Sequence, residues 1–442
     1  MKENKTGERK TPASLDREIW RLLWPLLLLT LVSRIGLAFE GVLVSVNNAD
    51  ELTVSGICAP YITIITTINF GLGIAANSLT GRLKGEEQWD NCCRRATRLL
   101  TLVLVGCGYI MSLISALLLR GAFAETPELL SLGFRYMLPY FFGSPFIIIA
   151  NTLTFALRGL GDTKSGMWIT FATVPVQISV AFLGYRAFGL AGLGYGAVSG
   201  DLVGSIIGYC LYRKYFPSTG GREALPAGMG RDFFRLAIPV SLSKVVSPAA
   251  TAAINALILT IGSEHVAVSG LGWRLEYFFY MPAMLMGSIA ITLTAQNKGK
   301  LSMKKLAAHL CLWSLAPTLL LVLAAFFFRE PIWALLTPDE TLRAAGAAYW
   351  RICLWAYPMI ALEMTTTGIL QALGCGMPAL VVTVVRTWGV QFSLTALTAR
   401  FGWGADGAWM AFLLGNLASI LTSAIWAWKK MKKQSLQSEE TT

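Results

Sequence analysis

Charge is scarce in this chain: Asp, Glu, Lys and Arg make up 14% of 442 residues, against 55% hydrophobic residues. A soluble chain of this length could hardly cover its surface with so little charge, so a water-soluble globular protein is excluded. Histidine is rarer still. With only His265 and His309, each at the end of an apolar run, no histidine base or histidine-ligated metal can anchor an active site, and no catalytic or metal site is expected. No GxxxxGK[ST] segment occurs, which removes the phosphate-cradling loop of a nucleotide-driven pump. The eight cysteines, among them Cys92, Cys93, Cys107, Cys210, Cys311 and Cys353, lack metal-ligand spacing and read as free thiols.

What fills the chain instead is a succession of apolar runs of about 20 residues, the length that crosses the hydrocarbon layer as a helix. Twelve are expected, over residues 20–46, 53–80, 96–119, 133–157, 165–188, 190–213, 236–261, 266–294, 306–328, 347–372, 378–400 and 405–428. The fold class is therefore an all-α polytopic membrane protein. The net charge of +12 belongs to membrane orientation rather than to nucleic acid, because Lys and Arg collect in alternate loops while acids occupy the opposite ones. Both termini are expected in the cytoplasm, in a cell inner membrane. The polar stretch up to Arg17 leads into a full-length span without a small-residue cleavage site, so no cleavable leader is expected.

The chain also repeats itself. A shift of 214 places Pro25 on Pro239, Val54-Ser55-Gly56 on Val268-Ser269-Gly270 and Gly85 on Gly299; a shift of 213 places Pro145 on Pro358 and Leu157–Gly161 on Leu370–Gly374. Two six-helix lobes with the same orientation follow, related by a parallel repeat. The expected division is a cytoplasmic tail over 1–18, a first lobe over 19–214, a cytoplasmic linker over 215–235, a second lobe over 236–428 and a cytoplasmic tail over 429–442. Pro25 and Pro239 are expected to bend the first and seventh helices. Two lobes able to rock about a midplane site are the architecture of alternating access, which points to a secondary transporter.

Ionisable groups inside such spans need protein or water around them. Glu40, with Ser33 and Gly36 on one face of the first helix, is the leading candidate for coupling transport to a cation gradient. Asp201 on the sixth span and Glu363 on the tenth are further candidates. Polar, aromatic and sulphur side chains expected at the substrate cavity are Ser33, Arg34, Asn69, Asn151, Gln177, Lys244, Asn255, Glu276, Tyr280 and Met284. The aromatic and methionine groups suit planar, lipophilic or cationic compounds.

Several stretches resemble the multidrug and toxic compound extrusion (MATE) family, and its DinF-like branch in particular. Leu157-Arg158-Gly159-Leu160-Gly161-Asp162-Thr163 is similar to its LRGLGDT motif, Glu264–Gly270 to its TEALAAYG turn, Arg274-Leu275-Glu276 and Met281-Pro282-Ala283 to its RIE and MPA marks, and Gln296-Asn297-Lys298-Gly299 to its GQN-G helix exit. The resemblance implies an antiporter that exports lipophilic or cationic small molecules on a proton or sodium gradient; a monomer without a cofactor is expected. It puts Glu40 where the family's first helix carries an Asp, and Gln177 and Ala181 where the fifth carries Asn and Asp. The rival reading is a lipid-linked saccharide flippase of the same superfamily, which would use Arg34, Lys244, Arg274, Arg351 and Arg386 to hold pyrophosphate. A non-transporting membrane enzyme or scaffold is the remote alternative.

Overall fold

The computed structural model describes residues 12–47, 49–85, 105–110, 112–117, 119, 130–214, 228–297 and 302–439, and these are helical nearly throughout. The helices are α1 (Pro12–Asn47), α2 (Ala49–Gly85), α3 (Val105–Leu117), α4 (Leu130–Gly159), α5 (Thr163–Phe188), α6 (Ala191–Lys214), α7 (Met229–Ile261) and α8 (Ser263–Gln296). They continue as α9 (Met303–Phe327), α10 (Arg329–Leu336), α11 (Glu340–Cys353), α12 (Ala356–Ala372), α13 (Met377–Val384), α14 (Ser393–Phe401) and α15 (Gly404–Glu439). Among the described residues eight helices are long and apolar enough to cross a membrane. The chain packs as two compact units, Thr11–Ser241 and Leu242–Thr442. Part of the expected linker, residues 215–227, lies outside the described residues, as do Cys92 and Cys93. Cys58, Cys107, Cys210, Cys311, Cys353 and Cys375 are free thiols.

In the first unit small residues let backbones approach closely, which is how helices associate where lipid removes the hydrophobic drive between them. A Cβ placed on Gly192 would lie 2.0 Å from the carbonyl carbon of Gly184, so α5 and α6 touch at their backbones. Between α2 and α4 the ring of Phe155 fills the space over Gly73, where a Cβ would meet it at 2.6 Å. Thr80 Oγ1 donates to the Ala156 carbonyl at 3.0 Å across the same pair.

The second unit pairs α8 with α12 in the corresponding way. Here a Cβ on Gly368 would lie 2.5 Å from the Gly287 carbonyl oxygen, and Ser314 Oγ on α9 donates to the Ala361 carbonyl at 3.0 Å. Two expectations need correction. The tenth span, read as one helix over 347–372, is two helices that break at Leu354–Trp355. Pro358, which lacks an N–H to continue the hydrogen-bond ladder, sits in the first turn of α12 as helix-starting prolines do. The eleventh span is regular only at its ends, because residues Val385–Phe392 wind as a π-helix between α13 and α14.

The repeat is visible in the backbone itself. At the end of α4, Gly161 N–H donates to Arg158 and Asp162 N–H to Leu157. At the end of α12, Gly374 N–H donates to Gln371 and Cys375 N–H to Leu370, each partner 213 residues on. Gly161 and Gly374 hold φ of 78° and 80°, the left-handed conformation that closes such a helix end and that a Cβ disfavours. Gly189 and Gly402, ending α5 and α14, follow the same spacing with φ of 60° and 68°.

Candidate functional site

In the first unit α1, α5 and α6 meet at Gln177. Gly36 leaves room for Gln177, whose Oε1 would lie 3.6 Å from a Cβ on Gly36 and 3.7 Å from one on Gly200. The amide of Gln177 therefore lodges between the glycine faces of two other helices, and Asp201, half-buried, follows Gly200 directly on α6. Glu40 continues α1 one turn past Gly36, but its side chain lies outside the described residues. One turn beyond Gln177, Ala181 is fully buried, and a Cβ on Gly196 would meet its Cβ at 2.5 Å. The tight α5–α6 contact thus leaves no space for a carboxylate at that position, the physical counterpart of the missing second acid.

Other predicted groups of this unit are placed apart from that focus. Asn69 is buried and donates from Nδ2 to the Ile147 carbonyl at 3.2 Å, while its Oδ1, also buried, has no hydrogen-bond partner among the described residues. Ser33 is exposed and its hydroxyl folds back onto the Leu29 carbonyl at 2.8 Å. Arg34 and Asn151 are exposed. At the end of α4, Asp162 caps α5, accepting from Ser165 N at 3.0 Å and from Ser165 Oγ at 2.6 Å. Lys84 Nζ donates to the Leu160 carbonyl beside it.

In the second unit Glu276 sits 3% exposed within a cage of rings. Its Oε2 accepts from the Tyr357 hydroxyl. The Tyr349 ring fills the space above Gly272, where a Cβ would meet Tyr349 Cε1 at 2.7 Å and Glu276 Oε1 at 3.2 Å. Phe279 stacks edge-on against Trp350 at 5.8 Å, Trp350 against Trp333 at 5.7 Å, and Tyr349 against Trp409 at 4.7 Å. The side chain of Arg274, two residues before Glu276, lies outside the described residues. Tyr280 and Met284 follow Glu276 on α8, both half-buried.

Glu363 occupies a different place, on α12 beyond Tyr357. Its Oε1 accepts from Thr367 Oγ1 at 2.9 Å, and the neighbouring Thr366 hydroxyl reaches Ser423 Oγ on α15 at 2.9 Å. Lys244 and Asn255 are half-buried on α7. His265, at the start of α8, lies 3.5 Å from Glu264 and edge-on to Trp409.

Two residues of this unit escaped the sequence reading. Gln391, in the π-helical stretch, packs over Gly415 of α15, where a Cβ would lie 2.4 Å from its Cγ. Asn416 follows, 1% exposed, with Nδ2 donating to the Phe412 carbonyl at 2.8 Å and Oδ1 buried without a partner among the described residues. They repeat the arrangement of Gln177 over Gly200 with Asp201 beside it. The signal was present: Gly200-Asp201-Leu202 returns as Gly415-Asn416-Leu417, at a shift of 215.

A helical membrane protein built from two copies of one six-pass plan is the class these observations define. The MatE family model matches twice, over residues 26–183 and 239–397, so that the copies start 213 residues apart. The chain belongs to the MATE family. Its relatives include a protein of Bacillus subtilis (strain 168) described as "Probable multidrug resistance protein YpnP", 27% identical over 387 residues that cover 84% of this chain and 86% of that one. Another is the "FAD transporter" of Shewanella oneidensis, 24% identical over 399 residues, covering 85% and 86%. Among solved structures, a MOP superfamily transporter from Pyrococcus furiosus superposes with a TM-score of 0.83 at 21% identity over 98% of this chain and 99% of that one, which shows a shared fold.

Proposed function

We propose that this transporter is a secondary antiporter that exports lipophilic or cationic small molecules, multidrug efflux in kind, on a proton or sodium gradient. The observation that supports this most is the meeting of α1, α5 and α6: Gln177 lodged between Gly36 and Gly200, with Asp201 next in line. An uncharged amide beside one or two acids within a membrane unit is the donor set that can hold a proton or a monovalent cation. Glu40, one turn along α1 from Gly36, is the coupling carboxylate. A second site acid close by would raise the proton affinity of one of the pair through like-charge repulsion, and Asp201 is proposed for that part. Glu363, tied to Thr367, is the coupling candidate of the second unit. Ser33, Arg34, Asn69 and Asn151 of the first unit and Lys244, Asn255, Tyr280 and Met284 of the second are assigned to substrate contact, with both termini in the cytoplasm of the cell that carries the protein in its inner membrane.

A specific observation favours a second substrate class. The relative from Shewanella oneidensis is described as a FAD transporter, and FAD is planar and anionic, a chemistry to which a basic side chain such as Lys244 is suited. Uptake of a fluorescent lipophilic cation and of FAD into inverted vesicles, with proton and sodium gradients imposed separately, distinguishes the readings. Cation uptake driven by either gradient is the expected result, and uptake of FAD alone would replace the first class by the second. Asp201→Asn is expected to shift the pH profile of export; an unchanged profile would remove Asp201 from the site.

A further inference from the structure

The break in the tenth pass and the carboxyl of Glu276 occupy one place in the second unit. Tyr349, Trp350 and Cys353 precede the break at Leu354–Trp355, Tyr357 follows it, and all four belong to the buried cluster that surrounds α8 at Glu276. Glu276 Oε1 and Trp350 Nε1 are both buried and have no hydrogen-bond partner among the described residues, and no described cationic side chain forms an ion pair with the carboxyl. A bare carboxylate enclosed by rings without a counter-charge is costly, whereas a carboxylic acid in the same place is not.

Among the described residues the titratable groups facing Glu276 are few. Tyr349 and Cys353 come from α11, Tyr357 from α12, and Tyr280 stands one turn along α8. To the same cluster α10 and α15 contribute the rings of Trp333 and Trp409, and α9 the apolar Val322 and Ala325. Asp406 on α15 is exposed and engaged with Arg351 at 3.7 Å.

We propose that Glu276 is a proton-binding site whose occupancy sets the elbow between α11 and α12. Protonated, the carboxyl carries its proton on one oxygen and accepts from the Tyr357 hydroxyl on the other. When that proton leaves to solvent, both oxygens accept only. The donors then available are the Tyr349 hydroxyl and the Trp350 indole N–H, which lie before the break, while Tyr357 lies after it. Loss of the proton therefore draws the two sides of the elbow toward one carboxylate. This site stands apart from the coupling role assigned to Glu40 and does not depend on it.

The test uses the full-length protein in lipid, followed by infrared difference spectroscopy from acid to alkaline buffer, without and with sodium. A protonated-carboxyl C=O band that disappears as pH rises, absent in Glu276→Gln and kept in Glu40→Gln, is the expected result. Hydrogen exchange of the amides at 354–357, corrected for its intrinsic pH dependence, is expected to change with the same midpoint and to lose that response in Glu276→Gln. Tyr357→Phe removes a donor that favours the charged form, so it should raise the proton affinity of the band roughly tenfold, and it serves if Glu276→Gln does not fold. A titrating band that survives Glu276→Gln, a Tyr357→Phe variant with an unmoved midpoint, an elbow indifferent to pH, or a response to sodium alone would overturn the proposal.

Discussion

The two units follow one backbone plan and fill it with different side chains. Gly73 of α2 and Phe155 of α4 correspond to Gly287 of α8 and Gly368 of α12, at shifts of 214 and 213. In the first unit a ring fills the helix interface, and in the second two backbones close onto each other. The acids differ more sharply. Glu40, Asp201, Glu276 and Glu363 fall on Ile254, Asn416, Ile62 and Ala150 in the other copy. No membrane acid among these four is repeated, whereas the left-handed glycines that end α4 and α12 are. Geometry is thus held in common and ionisable chemistry is assigned to one copy at a time, which an exchange of roles between equivalent lobes would not produce.

The sharpest contrast lies at the α5–α6 contact. Gly192→Ala would push a Cβ into the Gly184 backbone, which cannot swing aside as a side chain can. The expected loss is at the upper end of the roughly 1–3 kcal/mol typical of overpacking, read as a fall in the thermal midpoint in detergent. The matching position of the second unit already carries Ala405, and Ala405→Gly should cost only about 0.5–1 kcal/mol. Equal losses would contradict the difference drawn between the two hairpins.

Where the copies agree, the substitutions should agree as well. Gly161→Ala and Gly374→Ala both place a Cβ on a left-handed residue, with φ of 78° and 80°, and each is expected to cost about 1–2 kcal/mol. A marked inequality between their thermal midpoints would break the correspondence. A smaller effect separates the residues that follow them. Asp162→Ala removes the cap of α5 and should cost about 1 kcal/mol, whereas Cys375→Ala should be close to neutral, because α13 starts at Met377 with no side-chain cap.

Much of this was legible in the chain. Twelve apolar runs gave the passes, and the spacing of Pro25, Gly161 and their counterparts gave the repeat, because helix ends depend on local backbone requirements that specific residues meet. The break at Leu354–Trp355 was not read, although Pro358 carried the signal: an apolar run long enough to span looks continuous whatever its hydrogen bonding. The cage around Glu276 was hidden for another reason. Trp333, Tyr349, Trp350 and Tyr357 sit on three separate helices, and only tertiary packing brings them to one carboxyl. Gln391 and Asn416 were missed because they stand off the 213-residue register that Gly374, Gly402 and Ala405 keep, at shifts of 214 and 215.

The proposal that Glu40 couples export to a cation gradient is tested most directly by gradient-driven export in proteoliposomes of wild type and Glu40→Gln. The amide keeps the shape of the protonated carboxyl but can neither release a proton nor hold sodium. The account predicts a folded variant, with an unchanged thermal midpoint, that binds substrate and has lost export under both proton and sodium gradients. Export by Glu40→Gln at the wild-type rate would contradict it.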